Sequence, residues 1–262
     1  MEQKLIQIVE DDNIVAKTIE RVLRSYNYRV NVSNTGVNGL QSARREIPDL
    51  VLLDVIMPGM DGYTVCQEMR NDPLLCNVPI LFLTAKARDE DKINGFMSGA
   101  DDYMCKPFNI NELVFRIQAI LRRMQRISQP SPSDVIYGLP NAAPEEKKPE
   151  KSEQTVIAIG PYSLNTRTYE FTSPYSTKVR LTPVQYDLLY HLMDHPGEIF
   201  SPARLLDEVW DYPSDSGSSD LVRVHIRNLR ERIEKDPRNP LIIKTVPGYG
   251  YTIENMAAEN IE

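Results

Sequence analysis

Five short apolar runs alternate with five segments of helical spacing over roughly the first 125 residues, and this alternation restricts the fold more than any other feature. The runs have the length of buried strands, whereas the intervening segments repeat apolar residues every three or four positions, as amphipathic helices do. Repeated strand–helix units predict a doubly wound, five-stranded parallel sheet with helices on both faces. The strands are predicted at Leu5–Val9, Val30–Val32, Leu50–Leu53, Ile80–Leu83 and Tyr103–Met104, and the helices around Val15–Leu23, Val37–Ala43, Val65–Met69, Ile93–Met97 and Leu113–Leu121.

Acidic residues follow two of the predicted strands. Glu10, Asp11 and Asp12 follow the first strand, and Asp54 follows the third. The carboxyl ends of parallel strands form the ligand-binding edge of such a sheet, so these carboxylates should lie close together. Each close pair costs about 4 kcal/mol of repulsion, which a divalent cation would offset, and hard oxygen ligands favour Mg²⁺ over zinc. The alternative is that Asp11 and Asp12 are solvated loop acids.

A hydroxyl and an ammonium are predicted at the same edge of the sheet. Thr84 closes the fourth strand and Lys106 follows the fifth. Taken singly, a strand-end threonine or a lysine is usually structural. Together with Asp54 and a metal ion they would form a phosphoryl-transfer site, in which Asp54 is the nucleophile that becomes an aspartyl phosphate.

A proline-rich segment separates this pattern from a different one. Residues 128–154 include five prolines and have no periodic apolar face, so they are expected to form a flexible tether rather than a packed element. Short strands follow, then three helices and a terminal hairpin across Pro247-Gly248, which is the pattern of an α+β winged helix-turn-helix domain. We therefore expect a first domain at 1–127, a linker at 128–154, a second domain at 155–255 and a tail at 256–262.

The third helix of the second domain carries a local basic patch. Its apolar stripe packs inward, while arginines and other polar residues cover the rest of its surface. The net charge of −7 opposes DNA binding by the chain as a whole, so this patch would have to provide the contacts. The candidate DNA-binding residues on this helix are Arg223, His225, Arg227, Asn228, Arg230 and Arg232.

Motifs in both domains are similar to those of one family. Val9–Asp12, Leu53–Gly62, Leu83–Ala85 and Gly99–Phe108 resemble the motifs of receiver domains, which have a flavodoxin-like fold. Leu181–Pro183, Val209–Trp210, Val224–Arg227 and Thr245–Tyr251 resemble the effector domain of OmpR/PhoB-type response regulators. The motifs occur in the family's order.

This resemblance implies roles for the acidic site. Glu10 and Asp11 would hold Mg²⁺ together with Asp54 and the backbone carbonyl of Ile56. Asp54 would accept a phosphoryl group from a sensor histidine kinase, and Lys106 would bind the phosphate and precede a cis bond to Pro107. Thr84 and Tyr103 would form the switch pair. Such a receiver catalyses only its own phosphorylation and dephosphorylation.

The resemblance also implies a dimer and a DNA complex. Lys92 with Glu112 and Asp102 with Arg116 match intersubunit ion pairs of a dimer formed on phosphorylation. A third pair is missing on both sides, where Met97 and Gln118 stand.

Promoter DNA and RNA polymerase are the implied partners, and Thr245 and Gly248 of the hairpin are further candidate DNA contacts. Asp220-Leu221 and Pro247 depart from the family's usual DNA-contacting residues, which predicts weak non-specific binding and a shallow salt dependence.

Other classes of function are less well supported. No apolar run approaches the roughly 20 residues of a membrane span, and three cysteines without a metal-site spacing fit a reducing cytoplasm. An adaptor whose winged helix binds protein instead of DNA is a second reading, favoured by Asp220 and Pro247. A small-molecule phosphatase is a third, opposed by Ile56, which stands where such enzymes have a second aspartate.

Overall fold

A computed structural model of the 262-residue chain describes residues 3–84, 98–128, 155–174, 176–212 and 219–254. The amino-terminal unit spans Leu5–Ser128 and contains a five-stranded parallel sheet, as the alternating sequence predicts. Counted along the chain, the strands lie side by side in the order second, first, third, fourth, fifth. The predicted helix around Ile93–Met97 lies outside the described residues. The elements are β1 (Leu5–Val9), α1 (Asn13–Ser25), β2 (Arg29–Ser33), α2 (Gly36–Arg45), β3 (Leu50–Asp54), α3 (Gly62–Asn71), β4 (Ile80–Thr84), β5 (Asp102–Cys105) and α4 (Ile110–Ser128).

Alternation along the central strands supplies both faces of the sheet with apolar side chains. In β3, Leu50 and Leu52 pack in the cluster that includes residues of α1 and α4, while Val51 and Leu53 pack in the cluster that includes residues of α2 and α3. Strands covered on both faces are buried throughout, as β1, β3 and β4 are. This packing fixes the strand ends, and hence the residues that follow them.

Side-chain caps start the helices next to that edge. The Asp12 carboxylate accepts hydrogen bonds from the N–H groups of Ile14 (2.7 Å) and Val15 (3.2 Å) at the start of α1. Asp61 caps α3 in the same way through the N–H of Thr64. Because a capping side chain satisfies N–H groups that have no partner within the helix, Asp12 has a structural role in the loop after β1.

The carboxy-terminal unit, Val156–Ile253, combines a four-stranded antiparallel sheet, three helices and a hairpin. Pro183 and Pro202 occupy the first turns of two of these helices, where a missing N–H leaves no helical hydrogen bond unmade. The elements are β6 (Val156–Ile159), β7 (Tyr162–Asn165), β8 (Glu170–Ser173), β9 (Ser176–Arg180), α5 (Pro183–Asp194), α6 (Pro202–Glu208), α7 (Ser219–Ile233), β10 (Ile243–Val246) and β11 (Gly250–Ile253).

One strand begins later than its sequence predicts. The sequence predicts a short strand at Thr168–Phe171, but the Asn165 side chain accepts hydrogen bonds from the N–H groups of Arg167 and Thr168 and closes a turn there. Tyr169 then takes a positive φ of 58°, so regular pairing starts at Glu170.

The terminal hairpin is held against the loop before α6. Phe200 and Tyr251 exchange backbone hydrogen bonds of 2.9 Å. A Cβ at Gly250 would lie 1.9 Å from the Phe200 carbonyl oxygen, so only glycine fits this approach. Among the described residues, no helix combines the length and apolar character that crossing a bilayer requires.

Candidate functional sites

The predicted acidic residues lie together at the carboxyl edge of the parallel sheet. Oxygens of Glu10, Asp11 and Asp54 lie within 4.8 Å of one another. Glu10 and Asp54 are buried, at 1% and 6% exposure, while Asp11 is exposed to solvent. The cluster therefore has two fixed carboxylates and one accessible carboxylate, as a site open to an incoming ligand requires.

Lys106 enters this cluster from the end of β5. Its Nζ lies 2.7 Å from Asp54 Oδ2 and 2.6 and 2.8 Å from the two Glu10 oxygens. The Lys106 N–H donates to the Thr84 carbonyl at 2.8 Å, and the bond to Pro107 is cis, as predicted. Residues more than 90 positions apart in sequence thus form one charged site.

The charges of this site do not balance. The pKa of Glu10 is raised to about 7, chiefly by burial; the hydrogen bond from Lys106 opposes this increase, and the Asp54 carboxylate adds to it. Burial on its own would lower the pKa of Lys106, but hydrogen bonds to Asp54 and Glu10 outweigh it and raise that pKa. One ammonium neutralises one carboxylate, so with all three acids ionised the hard-oxygen donor set still favours a divalent cation such as Mg²⁺.

The loop after β3 holds the Asp54 side chain in place. Asp54 Oδ1 accepts a hydrogen bond from the Ile56 N–H at 3.0 Å, which leaves Oδ2 facing Lys106. A Cβ at Gly62 would lie 2.2 Å from the Asp54 carbonyl oxygen, so α3 can start this close to β3 only with glycine. Gly62 is the last residue of the motif Leu53–Gly62, but its role in positioning Asp54 was not predicted.

The predicted switch residues lie near the same edge. Thr84 is fully buried at the end of β4. Tyr103 is buried in β5, and its ring contacts the Phe82 ring edge-on with centroids 6.4 Å apart. The aromatic side chain is therefore turned inward in this structure.

The basic patch on α7 divides into two groups. Arg223 and Arg227 are exposed, and each pairs with an acid of its own helix: Arg223 with Asp220 at 3.0 Å and Arg227 with Glu231 at 3.1 Å. Such exposed pairs contribute little stability and are readily exchanged for other anions.

Other predicted DNA contacts make hydrogen bonds within the protein, although Arg232 is exposed. Arg230 donates to the Ile243 carbonyl (2.6 Å) and to Thr245 Oγ1 (2.8 Å), which holds the hairpin against α7. Arg232 donates to the carbonyl of Arg180. Gly248 forms the hairpin turn with a φ of 81°.

His225 and Asn228 require a correction, because both were predicted on a DNA-facing surface and both are buried here, at 1% and 4% exposure. The His225 ring packs on Trp210 with centroids 5.4 Å apart and faces Arg123 and Asp102 of the amino-terminal unit. Burial lowers the pKa of His225 to about 3, as does the Arg123 charge. In this conformation these two side chains cannot reach DNA.

Comparison with known proteins decides the family. Residues 6–118 match the family model of the response regulator receiver domain, and residues 176–253 match that of the transcriptional regulatory protein, C terminal. The chain is 37% identical over 249 residues to the DNA-binding dual master transcriptional regulator RpaA of Synechocystis sp., covering 95% of this chain and 94% of that one. It is 36% identical over 253 residues to the DNA-binding response regulator MtrA of Mycolicibacterium smegmatis, covering 96% of each.

The chain is a response regulator of the OmpR/PhoB type. A solved RitR mutant structure has a TM-score of 0.71 and 25% identity, with coverage of 97% of this chain and 100% of that chain. The amino-terminal unit is thus the receiver, and the carboxy-terminal unit is the DNA-binding domain of this response regulator.

Three of the predicted dimer residues of the response regulator, Asp102, Glu112 and Arg116, lie together on one face of the receiver. Arg116 contacts both Asp102 and Glu112 within the same chain, each at 2.8 Å. Lys92 lies outside the described residues. Asp102 also accepts a hydrogen bond from Tyr212 of the DNA-binding domain. Tyr212 lies in none of the motifs identified in the sequence, so its role was not predicted.

Proposed function

We propose that Asp54 accepts a phosphoryl group from a sensor histidine kinase and that this modification controls promoter binding. The observation that carries the proposal is the contact of Lys106 with both Asp54 and Glu10, beside the accessible Asp11. A lone reactive carboxylate beside a fixed cation and spare acidic ligands is the arrangement that phosphoryl transfer needs.

Each residue of the site has a separate role in phosphoryl transfer. Asp54 Oδ2 attacks the phosphorus of a phosphohistidine, so an O–P bond forms as the N–P bond breaks and the departing imidazole takes a proton from solvent. The Ile56 N–H holds Oδ1 and so orients the nucleophile. Lys106 keeps its contact with Oδ2 until the phosphoryl oxygens take its place.

Two further roles complete the chemistry. Mg²⁺ held by Glu10, Asp11, Asp54 and the Ile56 carbonyl would supply charge neutralisation at the phosphoryl oxygens. The Thr84 hydroxyl donates a hydrogen bond to a phosphoryl oxygen, and the Tyr103 side chain moves in response to Thr84. This coupled movement shifts the conformational equilibrium of the β5–α4 face. The receiver also catalyses its own dephosphorylation, in which a water molecule attacks the phosphorus, the O–P bond to Asp54 breaks and inorganic phosphate leaves.

The phosphorylated receiver forms a homodimer, and the paired DNA-binding domains act with RNA polymerase at a promoter in the cytoplasm. Lys92, Asp102, Glu112 and Arg116 form the dimer face. The domains are 1–127 and 155–255, joined by the linker 128–154 and followed by the tail 256–262.

DNA contact is proposed for the exposed arginines Arg223 and Arg227 in the first instance, because they are accessible in this structure. His225 and Asn228 join them only if the domain separates from the receiver. Asp220 lies near the start of the helix and would repel a phosphate, and Pro247 offers no donor, so non-specific affinity is low.

A protein-binding adaptor is the second candidate function. The pairing of Arg223 with Asp220 and of Arg227 with Glu231 favours it, because both exposed cations already have anions. A mobility shift with an Arg223→Ala, Arg227→Ala double variant separates the two. Loss of the shift in the double variant supports DNA binding, whereas a wild type that gives no shift with any duplex, phosphorylated or not, favours the adaptor.

Incubation with acetyl phosphate and Mg²⁺, followed by intact-mass measurement, tests the proposed function. The wild type should gain one phosphoryl group and elute as a dimer, and EDTA should prevent the gain. Asp54→Asn should not react. Asp49→Asn is the matched control, because Asp49 bonds to Lys4 before β1, at the opposite edge of the sheet. Phosphorylation of the Asp54→Asn variant would contradict the assignment.

A further inference from the structure

The two domains share a packed boundary. The ring of Phe115 in α4 contacts the Tyr212 ring with centroids 5.9 Å apart. Ala119 and Tyr103 of the receiver belong to the same buried cluster as residues of α5 and α7. The receiver face built from β5 and α4 is therefore covered by the DNA-binding domain in this structure.

A buried triad ties the domains together at this boundary. The Tyr212 hydroxyl donates to Asp102 Oδ2 at 2.5 Å, and Arg116 Nη1 lies 2.8 Å from the same oxygen. The Arg116 guanidinium also lies over the Tyr212 ring, 5.0 Å from its centroid. Tyr212 and Asp102 are both 1% exposed. Burial, together with the Asp102 charge, raises the pKa of Tyr212, so its hydroxyl remains a donor.

Asp101 makes a second tie from the same strand end. Its Oδ1 accepts a hydrogen bond from the Val184 N–H at 3.1 Å, in the first turn of α5. Its Oδ2 is already held by Arg70 at 2.9 Å and by the Ile80 N–H at 2.8 Å. The acceptor is thus fixed in the receiver, and the donor it binds belongs to the other domain.

We infer that Tyr212 is a latch that holds the chain closed by occupying Asp102. Asp102 and Arg116 are the side chains that the proposed dimer would use, and His225 is a proposed DNA contact that lies buried against Arg123 and Asp102 in the same closed arrangement. A single set of contacts therefore withholds the dimer face and the His225 side of α7 at once, while Arg223 and Arg227 stay exposed. The part of this inference that concerns dimerisation rests on the proposed function.

The boundary is built to open as well as to close. Arg123 Nε lies 2.9 Å from Asp187 Oδ2, yet among the described residues the three buried guanidinium nitrogens make no well-aligned hydrogen bond. Buried polar groups without well-aligned hydrogen bonds destabilise the closed arrangement, because they would gain hydrogen bonds in water. Closure therefore depends on the remaining contacts between the domains, chiefly that of Tyr212.

Carbethoxylation of histidines in the unphosphorylated full-length protein tests the latch. His225 is buried at the boundary, whereas His195 of the same domain is partly exposed and is the internal reference. Tyr212→Phe removes only the hydroxyl and should speed the labelling of His225 relative to His195 by about tenfold, the factor for losing a hydrogen bond to a charged group. Tyr190→Phe, whose ring packs on Tyr186 within the same domain, should leave the ratio unchanged.

Further variants separate the possible outcomes. Asp102→Asn should also speed His225 labelling, and both variants should act equally in an Asp54→Asn background, because the latch does not need phosphate. A wild-type ratio in both Tyr212→Phe and Asp102→Asn overturns the latch. Faster labelling of His195 as well as His225 in both would signal general unfolding and overturn it too. Failure of acetyl phosphate to modify Asp54, with the labelling result intact, would refute the proposed function and leave the latch standing.

Discussion

At the residue scale, the receiver depends on a lysine that holds two buried carboxylates together. Lys106 Nζ contacts Glu10 and Asp54, which are almost completely excluded from solvent. Removing one partner of a buried charge group is far more costly than removing a surface ion pair, because the other charges remain buried and unpaired.

Lys106→Met should therefore lower the free energy of unfolding by about 3 kcal/mol in EDTA. Mg²⁺ should restore part of this loss, since a divalent cation would neutralise the same carboxylates. Urea denaturation with and without Mg²⁺ measures both effects. Lys17→Met on the exposed side of α1 is the control, and an equal loss in the two variants would contradict the account.

Gly62 gives a residue-scale prediction that does not involve charge. Gly62→Ala should slow phosphorylation of Asp54 by acetyl phosphate about tenfold or more, because the new Cβ must displace the Asp54 backbone. Gly59→Ala is the matched control: Gly59 has a φ of 80° but no atom within 4 Å of the added Cβ. The control should lose about 1 kcal/mol of stability to backbone strain and keep its reactivity. Equal rates in the two variants would refute the positioning role.

At the element scale, the sequence predicted which residues stand at strand ends but not which helix faces are covered. The β–α repeats and the acids after β1 and β3 were sufficient for the Glu10–Asp54 cluster, because parallel strands end at one edge. The surface of α7 could not be assigned in the same way. The spacing of apolar residues identifies the side of a helix that packs inward, whereas His225 also lies against receiver residues about 100 positions away in sequence.

The exposed arginines of α7 give an element-scale prediction about DNA. In fluorescence anisotropy with a duplex of random sequence, Arg223→Ala and Arg227→Ala should each reduce the slope of log affinity against log salt by about 1. Arg21→Ala in α1 is the control with the same change of charge. A slope unchanged by both substitutions in α7 would exclude phosphate contacts there.

Burial of His225 predicts a pH dependence. Its pKa is about 3 in the folded protein, against an ordinary value of 6.5, with Arg123 opposing its protonation and Asp102 favouring it. The unfolded chain therefore binds the proton more readily, so the stability contribution is complete above pH 6.5 and is lost as the pH falls.

His225→Gln measures that contribution. Between pH 7.5 and 5.5 the wild type should lose about 1.4 kcal/mol more unfolding free energy than the variant. Urea denaturation at both pH values gives the difference, in which titrations common to the two proteins, such as that of Glu10, cancel. Parallel pH profiles would show that His225 is not held neutral.

At the scale of the whole molecule, the receiver face that the proposed dimer would use is also the face that packs on the DNA-binding domain. The sequence predicted two domains and a dimer face with Asp102 and Arg116, but it gave no indication that Tyr212 would reach the same carboxylate. That contact depends on the relative placement of two folded domains, which short-range periodicity and motif spacing do not encode. The result is a response regulator in which Asp102 of the proposed dimer face and His225 of α7 are held in internal contacts while the two domains are packed together.

The central claim is that phosphorylation of Asp54 opens the boundary between the two domains and so exposes the buried side of α7. Carbethoxylation of His225 relative to His195, measured on the wild type before and after treatment with acetyl phosphate and Mg²⁺, tests it most directly. We predict an increase of about tenfold or more on phosphorylation, in proportion to the phosphorylated fraction, and none in Asp54→Asn. Full phosphorylation by mass with an unchanged His225 ratio would contradict the account.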